Sequence, residues 1–137
     1  MASLEKLIIA NDSNAISFGN HDVIEKQKQE GFELSGDIYK VKTHNLITRL
    51  EKNGRLLYES VPGTTVKDLK LSSETMTFSV AGSAEDAQIT VELEAEQDYK
   101  VYINQLQVGK VTSNIAGKIS FSVDFATGVQ TVEIRKV

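Results

Sequence analysis

Alternation of apolar and polar residues constrains the fold of this chain more than any other feature. In the segment GKISFSVDF, residues 117–125, apolar side chains occupy every second position. Side chains of a strand point alternately to its two faces, so a period of two predicts a strand with one buried face. The same period recurs around Phe78, Ile89 and Val101. Turn residues recur roughly every 8–12 residues, a spacing typical of sandwiches and barrels.

The sequence therefore predicts an all-β fold, either an antiparallel β-sandwich or two small β lobes packed together. The 137 residues are enough for one compact domain or for two small lobes that share a core. The expected core consists of the apolar residues at inward positions of the C-terminal strands: Phe78, Val80, Ile89, Val91, Leu93, Val101, Ile103, Ile119, Phe121, Val123, Val132 and Ile134.

The only proline of the chain marks the predicted division between its halves. Pro62 lies in the turn sequence VPGT. Proline followed by glycine favours a type II turn, in which proline sets φ and glycine takes the positive φ. This turn divides the chain into an N-terminal β lobe, residues 1–63, and a C-terminal β-sandwich lobe, residues 64–137. The alternative is one continuous domain.

Two local signals organise the N-terminal half. Asn53-Gly54 lies between apolar-rich segments, and this pair favours a type I′ hairpin because both central residues take a positive φ. The segment VIEKQKQE, residues 23–30, contains good helix formers but only two apolar positions. Because a short isolated helix needs an apolar face to bury, we expect an exposed extended segment or loop, with a helical turn as the alternative.

Composition limits the partners and the compartment. The net charge of −4 and the scattered basic residues argue against nucleic acid, whose phosphates require clustered lysine and arginine. The absence of cysteine excludes disulfides, thiolate metal sites and cysteine nucleophiles. The apolar run at residues 7–10 is too short for a secretory signal or a membrane span. We expect no membrane insertion and a cytoplasmic protein by default, with an extracellular location after processing or non-classical export as the alternative.

No motif predicts a catalytic residue, a cofactor or a metal ion. GNHD, residues 19–22, resembles a block of calcineurin-like metallophosphoesterases, but the D-x-H block that precedes it in that family is absent, and His44 is the only other histidine. Glu92 and Glu94 share one face of a predicted strand, where solvation is a simpler role than glycoside hydrolysis. We expect GNHD to form a turn and the protein not to be an enzyme. A hydrolase that uses His21 or Glu92 is the less favoured alternative.

The C-terminal part of the chain resembles a known kind of module. The runs YKVYIN, VGKVTSN and GKISFSV, within residues 99–123, resemble accessory β-sandwich modules at the ends of bacterial carbohydrate-active and surface proteins. In that pattern, glycine usually stands where this chain has Gln105. The resemblance implies a β-sandwich whose motifs form hairpins, and it suggests a glycan as one possible class of partner.

Most of the chain resembles small uncharacterised proteins of anaerobic Firmicutes, some of which carry an automatic endosialidase label. The segments that carry this resemblance are ISFGN, GDIYKVKT, LEKNG, YESVPGT and EDAQIT. Sialidases have S-x-D-x-G-x-T-W boxes and an arginine triad. This chain has no tryptophan, no such box and only three arginines. The resemblance therefore implies a stand-alone bacterial protein and no sialidase activity.

The favoured function is that of a non-enzymatic structural or interaction module. Such a module would bind protein, including further copies of itself as a homo-oligomer, because unpaired sheet edges recruit further strands. The adding strand is expected in the N-terminal segment, with Leu4, Leu7, Ile8 and Ile9.

The alternative function is that of a glycan-binding accessory module. Tyr99 and Tyr102 are three positions apart on a predicted strand and should point to opposite faces, one into the core and one outward. An outward Tyr102 could stack on a sugar ring. The shallow site would consist of Tyr102, Asn104, Gln105 and Asn114.

Overall fold

The computed structural model describes residues 7–137 and contains thirteen strands. In chain order they are β1 (Ile8–Ala10), β2 (Ile16–Phe18), β3 (Gln27–Leu34), β4 (Asp37–Thr43), β5 (Thr48–Lys52), β6 (Arg55–Val61), β7 (Thr65–Leu71), β8 (Thr75–Ala81), β9 (Asp86–Glu92), β10 (Asp98–Ile103), β11 (Leu106–Thr112), β12 (Lys118–Asp124) and β13 (Gln130–Lys136). Among these residues no helix is long and apolar enough to cross a membrane.

The strands form two antiparallel sheets that pack together as a β-sandwich. The seven-stranded sheet has the order β1-β2-β7-β8-β13-β10-β11, and the six-stranded sheet has the order β12-β9-β6-β5-β4-β3. The predicted all-β, antiparallel fold class is therefore confirmed. β1 contacts β3 at one side of the sandwich, and residues of β11 and β12 line a common groove at the other, so each sheet has one edge on each side.

The core lies between the two sheets and contains most of the predicted apolar positions. Its buried residues include Phe78, Val80, Ile89, Val91, Val101, Ile119, Val123, Val132 and Ile134. Leu93, Ile103 and Phe121 are only partly buried and pack against the core. Near its centre, the Tyr58 ring contacts the Phe18 ring edge to face, with centroids 5.2 Å apart. Such aromatic pairs stabilise a core beyond the area that they bury.

Residues on both sides of Pro62 contribute to each sheet. In the seven-stranded sheet β2 pairs with β7, and in the six-stranded sheet β6 pairs with β9. The core residues from the two predicted lobes, residues 1–63 and 64–137, form one cluster. Within the described part of the chain, the expected boundary thus lies where the chain crosses from one sheet to the other, between β6 and β7.

Two tight hairpins have central residues with positive φ. Asn53 and Gly54 have φ values of 53° and 80°, and β5 pairs with β6 across them, which confirms the predicted hairpin. Asn104 and Gln105 have φ values of 52° and 71° and connect β10 to β11. Gln105 therefore adopts a conformation that normally favours glycine or asparagine.

The segment at residues 23–30 is extended rather than helical, as predicted. β3 begins at Gln27 and forms the outer edge of the six-stranded sheet. Its pairing with β4 shifts register between Gln29 and Phe32, around Gly31, whose φ is 73°. A bulge of this kind bends an edge strand and disrupts its regular row of backbone polar groups.

The sequence around Pro62 does not form the predicted type II turn. The Val61–Pro62 peptide bond is cis, and Gly63 does not have a positive φ. Glycine is needed here for a different reason, because a Cβ at position 63 would overlap the His44 carbonyl oxygen. The Gly63 N–H also donates to the Asn45 carbonyl oxygen at 3.1 Å. Close packing of two loops, rather than a special φ, accounts for this glycine.

Candidate functional site

The GNHD loop forms a turn between β2 and β3, as predicted. His21 Nδ1 lies 2.7 Å from Thr65 Oγ1, and its Nε2 lies 3.5 Å from an Asp22 carboxylate oxygen. The Asn20 N–H donates to Thr43 Oγ1 at 2.9 Å. Among the described residues, no group of three or more His, Asp or Glu side chains is arranged to hold a metal ion. The polar groups of this loop therefore connect it to β4 and β7.

A cluster of buried hydroxyl groups lies beside this loop. Its members, here called the hydroxyl cluster, are Thr43, Thr48, Tyr58, Ser60 and Thr64, all without solvent exposure. Thr64 Oγ1 lies 2.8 Å from the Tyr58 hydroxyl and 2.7 Å from Ser60 Oγ. The Thr48 hydroxyl donates to the Thr64 carbonyl oxygen at 2.8 Å and lies 2.8 Å from Thr43 Oγ1. Every hydroxyl group of the cluster thus has a hydrogen-bond partner, as buried polar groups require.

The hydroxyl cluster lacks the features of a nucleophilic site. A serine or threonine nucleophile needs an adjacent general base. In the described part of the chain, neither a carboxylate nor an imidazole hydrogen-bonds to any of these five hydroxyl groups. Burial also raises the pKa of Tyr58 far above its ordinary value, so that its phenol stays protonated. The cluster therefore has a structural role that joins β4, β5 and β6 to the loop before β7.

A cavity of about 380 Å³ opens between the sheets at the end where the Asn53-Gly54 hairpin lies. Its apolar lining consists of Leu56, Leu57, Leu71, Met76, Leu93, Tyr99 and Ile134. At its mouth, Arg55 forms an ion pair with Glu92, and Lys136 Nζ lies 3.0 Å from a Glu94 carboxylate oxygen. The two carboxylates considered for hydrolysis are thus each paired with a cation. Nothing in this pairing separates them into an acid and a base.

Tyr99 and Tyr102 point to opposite faces of β10, as predicted. Tyr99 is buried, whereas Tyr102 is partly exposed on the outer face. The Arg135 guanidinium carbon lies 4.9 Å from the centroid of the Tyr102 ring, and Arg135 Nη2 donates to Glu133 at 2.7 Å. This cation–π contact occupies one face of the ring, where a sugar would otherwise stack.

The other predicted glycan contacts are turn residues. Asn104 Nδ2 donates to Gln130 Oε1 at 2.7 Å, and Asn104 Oδ1 accepts the Thr131 N–H at 3.0 Å. Asn114 Oδ1 accepts two backbone N–H groups of its own loop at 2.9 Å each. Asn104 and Gln105 precede β11 and Asn114 follows it, so they lie at opposite ends of this seven-residue strand. The structure brings Tyr102, Asn104 and Gln105 near one another but leaves Asn114 apart.

The predicted adding strand lies at a sheet edge, but most of its apolar side chains are in the core. β1 is the outermost strand of the seven-stranded sheet. Leu7 and Ile8 are buried, and Ile9 is 48% exposed; Leu4 lies outside the described residues. The Leu7 N–H donates to Gln29 Oε1 of β3 at 3.2 Å. We call this side of the sandwich, with β1 and β3, the closed side, because a hydrogen bond connects its two edges.

The opposite side of the sandwich, here called the open side, has an apolar groove between its two edge strands. The groove measures about 520 Å³ and lies between β11 and β12. Its apolar lining, which defines the edge groove, consists of Val101, Ile103, Leu106, Val108, Val111 and Phe121. Leu106 is 70% exposed and Val108 is 55% exposed. No sequence signal identified this groove, since β11 and β12 are both edges only because of the strand order.

The two edge strands of the open side differ in regularity. β11 pairs with β10 through a register shift at Val108, and this bulge directs both Val108 and Gly109 toward the edge groove. β12 pairs with β9 over all seven of its residues without any register shift. A straight, regular edge strand is the form that accepts a further strand most readily.

Comparison of the chain with protein-family models, with curated proteins and with solved structures gave no match. No family is therefore assigned.

Proposed function

We propose that the protein is a non-enzymatic interaction module that self-associates through the unpaired strand edges of its open side. The observation that carries this proposal is the edge groove, an apolar surface between β11 and β12, two edges that no other strand of residues 7–137 pairs. Each edge presents backbone N–H and C=O groups that can pair with another strand, and each borders apolar side chains that such a strand would cover.

The exposed apolar side chains supply a driving force for association. Leu106 and Val108 lie on the groove side of β11, yet more than half of each side chain is in contact with solvent. Removal of apolar surface from water stabilises a complex by roughly 25 cal/mol per Å² before the costs of association. A partner strand over the groove would bury both side chains and pair the free backbone groups at the same time.

The open side is a better candidate for association than the predicted N-terminal segment. β1 has only three residues, and Leu7 and Ile8 are already buried against the chain's own core. β11 and β12 have seven residues each. A longer edge offers more hydrogen bonds to a partner strand, which supports β11 and β12 as the site of association.

Light scattering across a range of protein concentrations tests the proposal. We expect the mass of the particle to rise above that of a single chain as the concentration rises. Val108→Lys should keep the chain monomeric, because it places a charge in the edge groove. Ile24→Lys is the matched control, since Ile24 is 79% exposed and precedes β3 on the closed side. A chain that stays monomeric at all concentrations, or an oligomer that Val108→Lys leaves intact, would contradict the proposal.

A further inference from the structure

We propose that the partner strand is β12 of a second copy, paired antiparallel about Phe121; this inference rests on the proposed function above. β12 has the sequence KISFSVD, which reads DVSFSIK in the reverse direction. In an antiparallel pair centred on Phe121, Ser120 therefore lies opposite Ser122 of the partner subunit. Lys118 lies opposite Asp124 of the partner subunit, and the same contacts occur again through the twofold symmetry.

The free backbone groups of β12 fit this register. The Leu93 N–H donates to the Gly117 carbonyl oxygen, and the Phe125 N–H donates to the Glu85 carbonyl oxygen. Because backbone groups of a strand alternate in direction, the odd-numbered residues of β12 direct theirs to β9. Ser120 and Ser122 consequently direct theirs to the free edge. They would form a hydrogen-bonded pair with their counterparts, and Phe121 would form the closer, non-hydrogen-bonded pair with Phe121 of the partner subunit.

The charges on β12 favour the same register. Among the described residues, neither Lys118 nor Asp124 forms an ion pair. Both are exposed, at opposite ends of the strand. On β11, by contrast, Lys110 Nζ lies 3.9 Å from an Asp98 carboxylate oxygen of the neighbouring strand. Opposite charges directly across two strands are stabilising, and the proposed pairing gives both unpaired charges of β12 a partner.

The symmetry of the pair explains how the edge groove would be covered. The twofold axis of an antiparallel strand pair is perpendicular to the sheet, so the inner faces of both copies lie on the same side. The seven-stranded sheets of the two copies then approach each other above the paired β12 strands. This arrangement places Leu106 and Val108 of each copy above the two Phe121 rings. One strand pairing would thus cover the grooves of both copies.

The other edges are less suited to such a pairing. The register of β11 is broken at Val108, and that of β3 is broken around Gly31. β1 contains only three residues. Among the four sheet edges formed by residues 7–137, β12 alone combines a length of seven residues with unbroken register and a self-complementary sequence.

Charge reversal at the ends of β12 tests the register. Lys118→Glu alone places Glu opposite Asp124 of the partner subunit, and Asp124→Lys alone places Lys opposite Lys118 of the partner subunit. Each single variant should raise the Kd of the dimer by at least about tenfold, because two like-charge contacts replace two attractive ones. An equimolar mixture of the two variants should associate as the wild-type chain does, since every contact in the mixed dimer is again attractive. Lys26→Glu is the matched control and should leave the Kd unchanged, because Lys26 is exposed and precedes β3 on the closed side.

The absence of cysteine allows a second test that does not depend on charge. Residues of a non-hydrogen-bonded pair have Cα atoms about 4.5 Å apart, within the range that a disulfide spans. Phe121→Cys should therefore form a disulfide-linked dimer under mild oxidation. Ser122→Cys serves as the control, because in this register Ser122 lies opposite Ser120 of the partner subunit. Its own counterpart is then a diagonal neighbour about 7–8 Å away, which is too far for a disulfide.

The outcomes separate the two proposals. A wild-type chain that stays monomeric overturns both the pairing and the proposed function. A dimer that Val108→Lys disperses, but whose single charge variants keep the wild-type Kd, overturns the β12 pairing and retains the open side as the interface. The register is also overturned if the equimolar mixture of Lys118→Glu and Asp124→Lys does not associate. For this outcome, each variant must unfold at the same midpoint as the wild-type chain, which shows that both are folded. Cross-linking of Ser122→Cys in place of Phe121→Cys would overturn the register centred on Phe121.

Discussion

The edge strands on the two sides of the sandwich differ in the features that prevent pairing with another chain. On the closed side, β1 is short and its Leu7 and Ile8 side chains are buried, while β3 has a bulge at Gly31 and an ion pair between Lys28 and Glu30. Bulges, charges and short edge strands are known means by which proteins prevent association of sheet edges. The open side has two seven-residue edges and an apolar groove between them. This contrast supports the proposal that a partner binds at the open side.

The largest expected difference between the sides concerns two phenylalanines. Phe18, on β2, is 2% exposed and contacts the Tyr58 ring, whereas Phe121 lines the edge groove and is only partly buried. Phe18→Ala should lower the free energy of unfolding by about 3–5 kcal/mol. Phe121→Ala should lower it by about 1–2 kcal/mol, because less of its surface leaves water on folding. Urea denaturation of both variants, at a protein concentration where the chain is monomeric, measures these free energies. Equal losses of stability would contradict the expected difference between Phe18 and Phe121.

A smaller difference is expected between two threonine hydroxyl groups. Thr64→Val should cost about 2 kcal/mol of stability, because the buried Tyr58 and Ser60 hydroxyls lose their partner in the hydroxyl cluster. Thr90→Val removes a hydroxyl that lies 2.8 Å from Ser120 Oγ on the exposed outer face, and should change stability by no more than about 0.5 kcal/mol. Thermal unfolding of both variants measures the difference. A neutral Thr64→Val would show that the hydroxyl cluster does not stabilise the fold.

The smallest effect is expected at the ion pair of the β3 edge. A hydrogen bond from Lys28, assisted by the charges of Lys28 and Lys40, lowers the pKa of Glu30 below its ordinary value. Since the folded-state pKa lies below the unfolded one, this stabilising contribution is present above the unfolded pKa. It is lost as the pH falls through the folded pKa. Lys28→Gln should raise the Glu30 pKa, as measured by NMR titration of the Glu30 carboxyl carbon. An unchanged pKa would mean that Lys28 is not the main partner of Glu30.

The alternation pattern predicted the individual strands well, because it depends on only one property, a single buried face. The alternating segments around Phe78, Ile89 and Val101 all form strands whose inward residues lie in the core. The Asn53-Gly54 hairpin was also predictable, since its conformation is determined by two adjacent residues. Local chemistry thus accounts for the strands and for this turn.

Strand order was not predictable in the same way. The segment GKISFSVDF has the clearest pattern in the chain, yet β12 is an edge strand that pairs, within the described part of the chain, with β9 alone. Alternation reports that one face is buried and carries no information about how many strands lie beside it. The edge groove was missed for this reason, because it exists only where the order of both sheets brings β11 and β12 to the same side.

The hydroxyl cluster was missed because polar residues in an alternating strand normally face solvent. Thr48 and Ser60 are instead buried, and each forms a hydrogen bond with Thr64, which lies in the loop before β7. The type II turn at Pro62 was wrong for a related reason. Gly63 is needed for contact with the loop at His44, and that contact depends on the tertiary fold.

The bulge of β3 also sets a limit on the size of any assembly. Pairing through β12 joins two six-stranded sheets, and the outermost strands of the joined sheet are then the two copies of β3. Because Gly31 interrupts the register of β3 and the Lys28–Glu30 pair lies along it, neither end offers a regular template for a third chain. In the proposed dimer, growth through this sheet would therefore stop at two chains rather than continue into a fibre.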